Sequence, residues 1–227
     1  MPRSAPAPNL TRSAIAAAAY RRALAALRRH GILLQADARL PSVSSIVAGA
    51  PVRGSWWAAP EAHAIYDVCQ RLDHHADVAL ARLVCGKLTY MHRSLWPALA
   101  VAGIAREPWK TEGLSEPTRR LLAMVRRGGE VRTDELPPPT SASWLPAARD
   151  LEQRLLVHGE EFHTARGAHA KRLETWERWA GRAGVVPNSM AVAEARALLG
   201  AALAGVNVDG SGWLPWQTPR RRRSSTR

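Results

Sequence analysis

Cysteine is nearly absent from this sequence, and so are long apolar runs. The 227 residues contain two cysteines, Cys69 and Cys85, which excludes a disulfide framework and matches no paired zinc spacing. Free thiols are typical of a reducing compartment, so we expect a cytoplasmic protein. No run approaches the roughly 20 apolar residues of a transmembrane helix, and no secretory signal is expected at the start of the chain. We therefore expect no membrane partner.

Motifs for catalysis or cofactor binding are also missing. Ser55 and Ser94 lack the context of a nucleophile elbow. Gly128-Gly129 has the form of a turn, without the length of a phosphate-binding loop. Asp73 beside His74 could orient an imidazole for general-base work, but no nucleophile accompanies the pair. No cofactor is predicted, and a binding protein is a better expectation than an enzyme.

The densest polar cluster consists of His158, Glu160, Glu161, His163 and His169. A metal site would need two or three of these side chains to converge. His158 and His163 are an odd number of residues apart, so on a strand they face opposite sides. We therefore predict no metal site, and we expect a polar β-hairpin whose histidines contact phosphate or water.

Positive charge is concentrated at the two ends of the chain, which carries a net charge of +13. Residues 1–40 contain seven arginines against Asp37, and residues 217–227 contain five arginines and no acid. The 176 residues between them have a net charge of only +2. Basic arms suit phosphate backbones, where each contact releases counterions. The alternative is a pair of solubilising tails.

Apolar periodicity predicts a mostly α-helical protein with small β-hairpins, an α+β fold that contains winged helix-turn-helix-like units. The predicted segments are a basic N-terminal arm and helix (1–40), an α+β unit with a hairpin (41–108), a winged-helix-like domain (114–182), a C-terminal helix and loop (183–216), and a disordered basic tail (217–227).

The winged-helix-like domain is predicted from the order of its elements. An amphipathic helix ends at Gly129, and Thr133 is placed to cap a short second helix that ends at Leu136. A third helix follows at 147–155, and a strand pair, the wing, at 157–171. Helix, turn, short helix, helix and strand pair is the order of a winged helix-turn-helix.

The third helix would supply the contacts to bases. A recognition helix in the major groove needs polar and basic side chains on its exposed face, and Arg149, Gln153 and Arg154 are the candidates. Gln153 could pair with adenine and an arginine with guanine. Arg132 and Thr133 would contact the backbone. The predicted nucleic-acid-binding residues are Arg132, Thr133, Arg149, Gln153, Arg154, His163, Arg166, His169 and Lys171.

Three stretches resemble a bacterial set of AlkZ-related proteins, over about residues 40–182. These are Gly54-Ser-Trp-Trp57, the stretch from Gly86 to Pro97, and Leu155-Leu-Val157 leading to His163–Lys171. That set is similar to the AlkZ-type DNA glycosylases, which are built from tandem winged helices. The resemblance implies this fold, contact with DNA and a connection to DNA repair.

The same resemblance implies a catalytic motif. AlkZ-type glycosylases carry Gln-x-Gln or Gln-x-Asp, which positions the water that attacks the glycosidic bond. The only glutamines are Gln35, Gln70, Gln153 and Gln217, and we expect none of them to begin such a motif. We expect the chain to lack the motif, which weakens the prediction of base excision.

The sequence thus predicts a cytoplasmic DNA-binding protein that contacts duplex DNA through its wing, its second and third helices and its basic arms. Binding should be weak, salt-sensitive and largely non-specific. Two alternatives remain open. One is a glycosylase-like enzyme that uses a non-standard carboxylate such as Glu160 or Glu161, and the other is a non-catalytic protein-interaction module with charged tails.

Overall fold

The computed structural model describes residues 12–137, 139, 143–165, 167–186, 190–207 and 210–217. Within these ranges the chain is an α+β protein, as predicted, and it contains two three-stranded antiparallel sheets. The helices are α1 (Arg12–His30), α2 (Val43–Ala48), α3 (Ala62–Asp73), α4 (Trp96–Ile104), α5 (Pro108–Thr111), α6 (Glu116–Gly128), α7 (Leu145–Gln153), α8 (Trp176–Arg182) and α9 (Val192–Ala204). The strands are β1 (Ile32–Leu34), β2 (Val78–Arg82), β3 (Leu88–His92), β4 (Glu130–Arg132), β5 (His158–His163) and β6 (His169–Glu174). None of the helices in these ranges has the length and apolar character needed to cross a bilayer.

The amino-terminal unit, residues 12–92, has the order α1-β1-α2-α3-β2-β3. Its strands are arranged β1-β3-β2, so the predicted hairpin is confirmed and gains a third strand. This strand comes from the predicted N-terminal arm, where Ile32 lies opposite Met91 of β3. The apolar stripe of α3, at helical spacing, packs with α1 and Tyr90 around a shared core. The basic helix α1 is therefore an integral part of this unit and not a separate arm.

The carboxy-terminal unit, residues 116–174, repeats this order with one helix fewer. It runs α6-β4-α7-β5-β6, and its strands are arranged β4-β6-β5. The sheets of the two units therefore have the same topology. The apolar residues of α6 and α7 pack on Leu173 of β6 and form a separate core. No repeat is visible in the sequence, because different residues fill equivalent places in the two cores.

The short second helix predicted for this unit is absent, and this prediction was wrong. Residues Glu130–Arg132 form β4, and a turn follows. Thr133 does not cap a helix: its backbone N–H donates to the carbonyl oxygen of Lys171, and its hydroxyl accepts from the Lys171 N–H, both at 2.9 Å. These bonds extend the pairing of β4 with β6, and Pro137 then disfavours helix.

Helix α4 is apolar on all sides because it lies at the centre of a third core. It packs against α8 and α9, and Trp176 and Trp179 of α8 are both buried there. Gly103 lets the Trp176 indole approach the α4 backbone, since a Cβ at this position would overlap the indole ring. The same core contains Ile32, Ala79 and Met91 from the three strands of the amino-terminal sheet, so the three helices pack on that unit.

The base of the β5–β6 hairpin, the predicted wing, lies against the amino-terminal unit. His158 at the start of β5 is 4% exposed, whereas His163 at the far end is exposed. Arg82 of β2 pairs with Glu152 of α7 at 3.3 Å, and the Gln153 amide donates to the Gly86 carbonyl at 3.2 Å. The base of the hairpin is therefore closed to a partner in this conformation.

Candidate nucleic-acid interface

Two of the three predicted base-reading residues on α7 contact the protein itself. Gln153 bridges to the amino-terminal unit. Arg154 donates to Asp150 at 2.7 Å and to the Glu112 carbonyl at 2.9 Å, which fixes the chain after α5. Arg149 is exposed and has no ion pair within the described ranges. The helix therefore offers one arginine to a ligand, too few to recognise a base sequence.

The cations along the hairpin and β4 are neutralised by neighbouring acids. Lys171 is 4% exposed, and its Nζ lies 2.8 and 2.7 Å from the two carboxylate oxygens of Glu152. Arg132 pairs with Asp134 at 2.9 Å and with Glu135 at 3.1 Å. A buried ion pair cannot reach a phosphate without the fold opening, so Lys171 is unavailable in this conformation.

The far end of the hairpin carries a pair of histidines. The rings of His163 and His169 lie 4.5 Å apart, and His169 Nδ1 is 2.7 Å from Glu161 Oε1. Arg166, predicted to contact phosphate from the same hairpin, lies outside the described residues. Of the three histidines in the predicted cluster, two therefore meet at the exposed end beside an acid, and His158 lies apart at the buried base.

A closed ion network occupies the base of the same hairpin. His158, Glu160 and Glu174 bring three potential ligand atoms within 4.8 Å of one another. The guanidinium of Arg182 already bonds both carboxylates, at 2.8 Å to Glu160 and 2.5 Å to Glu174. Burial would raise the pKa of Glu174, but the hydrogen bonds from His158 and Arg182 outweigh it and lower that pKa to about 2. A metal ion would have to displace this guanidinium.

An arginine face on α6 was missed among the predicted site residues. Helix α6 buries Leu121, Leu122 and Val125 and carries four exposed arginines, of which Arg119 also donates to the Leu114 carbonyl at 2.6 Å. None of the four has a carboxylate within ion-pair distance in the described part of the chain. They are Arg119, Arg120, Arg126 and Arg127. Their seven-residue spacing places equivalent members two turns apart on one face, a signal that the sequence already contained.

Helix α1 has a similar face. It contains no acidic residue, and four exposed arginines recur on it at the same seven-residue spacing. They are Arg21, Arg22, Arg28 and Arg29. Of these, Arg22 also donates to the Ile46 carbonyl at 2.9 Å. The unpaired positive charge of the described residues is thus concentrated on two helices and is sparse on the hairpin.

The expectation that the chain lacks a Gln-x-Asp motif is wrong, because Gln35-Ala-Asp37 follows β1 directly. Asp37 is 9% exposed, and one carboxylate oxygen accepts from the backbone N–H groups of Arg39 and Leu40. The other accepts from Lys87 Nζ at 2.5 Å. Burial would raise the pKa of Asp37, but these hydrogen bonds lower it, so the carboxylate is ionised and fixed in place.

Comparisons with protein families, with curated proteins and with solved structures found no match.

Proposed function

We propose that this protein binds double-stranded DNA through phosphate contacts made by the arginine faces of α1 and α6. The observation that carries the proposal is the distribution of unpaired charge. Cations on β4 and along the hairpin are held by acids, whereas the eight arginines on the two helices have no acid partner among the described residues. Unpaired guanidinium groups are the strongest phosphate donors that a protein surface offers.

The dimensions of these helices suit a nucleic-acid backbone. With a rise of 1.5 Å per residue, α6 is about 20 Å long and its two pairs of arginines are about 10 Å apart along the axis. Such a row can contact phosphates without touching a base. Backbone contact fixes position and carries no sequence information, so we expect non-specific binding.

The repeated order of elements supports the same proposal. Both units have the order helix, strand, helix, strand pair, and in both the third strand lies between the first two. The first unit has one additional helix. We propose that both are winged-helix units, in line with the AlkZ-related resemblance. The basic arms would add further phosphate contacts, and a cytoplasmic location is part of the proposal.

Replacing the four α6 arginines with glutamine is expected to weaken binding to a duplex and flatten its salt dependence. Each arginine that no longer binds a phosphate should reduce the slope of log K against log salt by about 0.9. The measurement is fluorescence anisotropy with a labelled duplex between about 50 and 200 mM salt. The full chain should be used, so that the arms are present in every variant.

The matched control removes four exposed or half-buried arginines that are held by acids, so the net charge changes equally. These are Arg93, Arg132, Arg172 and Arg178. We expect this control to retain most of the wild-type affinity and slope. An equal decrease in both variants would show that net charge alone drives binding and would sink the assignment to α6.

Base excision is a second candidate function, favoured by Gln35-Ala-Asp37, which has the spacing of the AlkZ-type motif. Lys87, which fixes Asp37, follows Gly86, the acceptor of the Gln153 amide. The motif therefore lies near the boundary between the two units. The carboxylate alternatives suggested by the sequence are less favoured, because Glu160 pairs with two arginines and Glu161 with a histidine.

Gln35→Ala is expected to lower excision of alkylated bases by about 100-fold or more if the motif positions the attacking water, as for removal of a group acting through proton transfer. Glu160→Gln and Glu161→Gln are the comparison variants and should keep wild-type activity. Release of alkylated bases from a treated duplex is the measurement. Identical background release from wild type and Gln35→Ala would remove this candidate and leave DNA binding untouched.

A further inference from the structure

A cleft of about 610 Å³ opens between the segment after α4, the end of α6 and the start of α8. Its walls include Arg106, Lys110, Arg126 and Glu177. Clefts of this volume are the size that takes a small molecule. It is separate from the hairpin and from the Gln35-Ala-Asp37 motif, and none of the predicted site residues lines it.

The charge of this cleft is unbalanced toward the positive. Arg106 and Arg126 are exposed, and neither has a carboxylate within ion-pair distance in the ranges that the structure describes. Glu107, also on the wall, is already paired with Arg196 at 2.5 Å. This leaves Glu177 as the one carboxylate on the described walls without an ion pair.

A third cation lies beneath the surface. Lys110 is 1% exposed, and its Nζ donates to the carbonyl oxygens of Ala102 at 2.6 Å, Gly103 at 2.8 Å and Leu155 at 3.2 Å. Burial lowers the pKa of Lys110 to about 8. Its ammonium is held by carbonyl dipoles and not by an acid, so it adds positive charge to the cleft wall without donating to a ligand.

We propose that this cleft binds a phosphate group, held by the guanidinium groups of Arg106 and Arg126. Guanidinium presents two parallel N–H donors that match a phosphate, and two such groups on one concave surface can bind it from both sides. The phosphate belongs either to a free phosphorylated small molecule or to a DNA strand that reaches the cleft from the α6 face, to which Arg126 also belongs. The site does not depend on the proposed DNA binding, because Arg106 lies outside that face.

The test uses the full chain with inorganic phosphate and pyrophosphate as probes, at ionic strength held constant with sodium chloride. A ligand that binds the folded state raises the unfolding temperature with concentration. We expect that rise in wild type, its disappearance in Arg106→Gln, and a larger rise in Glu177→Gln, because this variant lacks the one wall carboxylate that has no ion pair among the described residues. Arg93→Gln, an exposed arginine paired with Asp77, is the matched control and should behave as wild type.

A parallel arm identifies the source of the phosphate. If pyrophosphate raises the unfolding temperature without displacing a duplex, the ligand is a free small molecule. If Arg106→Gln lowers duplex affinity and pyrophosphate competes with the duplex, the phosphate comes from DNA. The proposal is overturned if all variants respond equally to the anions, or if no anion has an effect and Arg106→Gln binds the duplex as wild type does. If replacing the α6 arginines does not weaken duplex binding, the DNA-binding proposal fails, but the phosphate site proposed here is unaffected.

Discussion

Glu152→Gln is expected to lower the free energy of unfolding by about 3–5 kcal/mol, the usual cost of removing one partner from a buried ion pair. Glu152 is 4% exposed, and its carboxylate bonds Lys171 with both oxygens and Arg82 with one. The substitution leaves the Lys171 ammonium buried. Its nearest remaining carboxylate among the described residues is Glu161, at 4.0 Å. Because Arg82 belongs to β2, the same change weakens the contact between the two units.

Denaturant unfolding of single and double variants measures this effect. Glu152→Gln combined with Lys171→Met should cost less than the sum of the two single changes, because the double variant no longer leaves the Lys171 ammonium buried without its carboxylate. Glu130→Gln, which removes the partner of the exposed Arg178, is the matched control and should cost less than about 1 kcal/mol. Equal small effects at positions 152 and 130 would contradict the importance of the buried pair.

Gly103→Ala is expected to destabilise the protein by about 1–3 kcal/mol, the typical cost of overpacking a core. Helix propensity alone would predict that the substitution stabilises the protein, since alanine is favoured over glycine inside a helix by about 1 kcal/mol. At Gly103 the added methyl would overlap the indole of Trp176, which is 2% exposed and cannot move aside. The clash therefore outweighs the gain in propensity.

Gly200→Ala provides the control, because Gly200 also lies in a helix and a Cβ there meets no atom within 4 Å. We expect this variant to gain up to about 1 kcal/mol. Thermal unfolding of the two variants beside wild type should therefore give shifts of opposite sign. A stabilising shift in both variants would mean that the approach of Trp176 to α4 is not tight.

Helices and hairpins were predictable where local pattern and local capping agree. Helix α6 has an apolar stripe, and it begins at Ser115, whose side chain accepts from the Thr118 N–H. Both signals lie within the segment itself, so this helix could be predicted from the sequence. The short helix expected after Gly129 failed because strand pairing with β6, some 40 residues later, satisfies the same backbone groups better. Propensity is a weak guide when a distant partner offers hydrogen bonds.

The candidate site likewise depends on partners that are distant in the sequence. Lys171, Gln153 and Arg154 are of the residue types that contact phosphates or bases, but residue type does not reveal whether an acid or a carbonyl lies opposite in the fold. Glu152 and Lys171 are far apart in the chain and meet only because α7 packs on β6. The exposed arginines of α6 were visible as a pattern, yet their significance depends on having no acid nearby.

Residue type and spacing within single segments account for the α+β composition, the amphipathic faces of the helices, the concentration of arginine and the Gln35-Ala-Asp37 motif. Long-range packing was needed to establish which cations remain unpaired, that the two units share a strand order, and that a positive cleft forms beside α6. Those properties depend on which distant side chains meet, since a charge is available to a ligand only where the fold has placed no counter-charge against it.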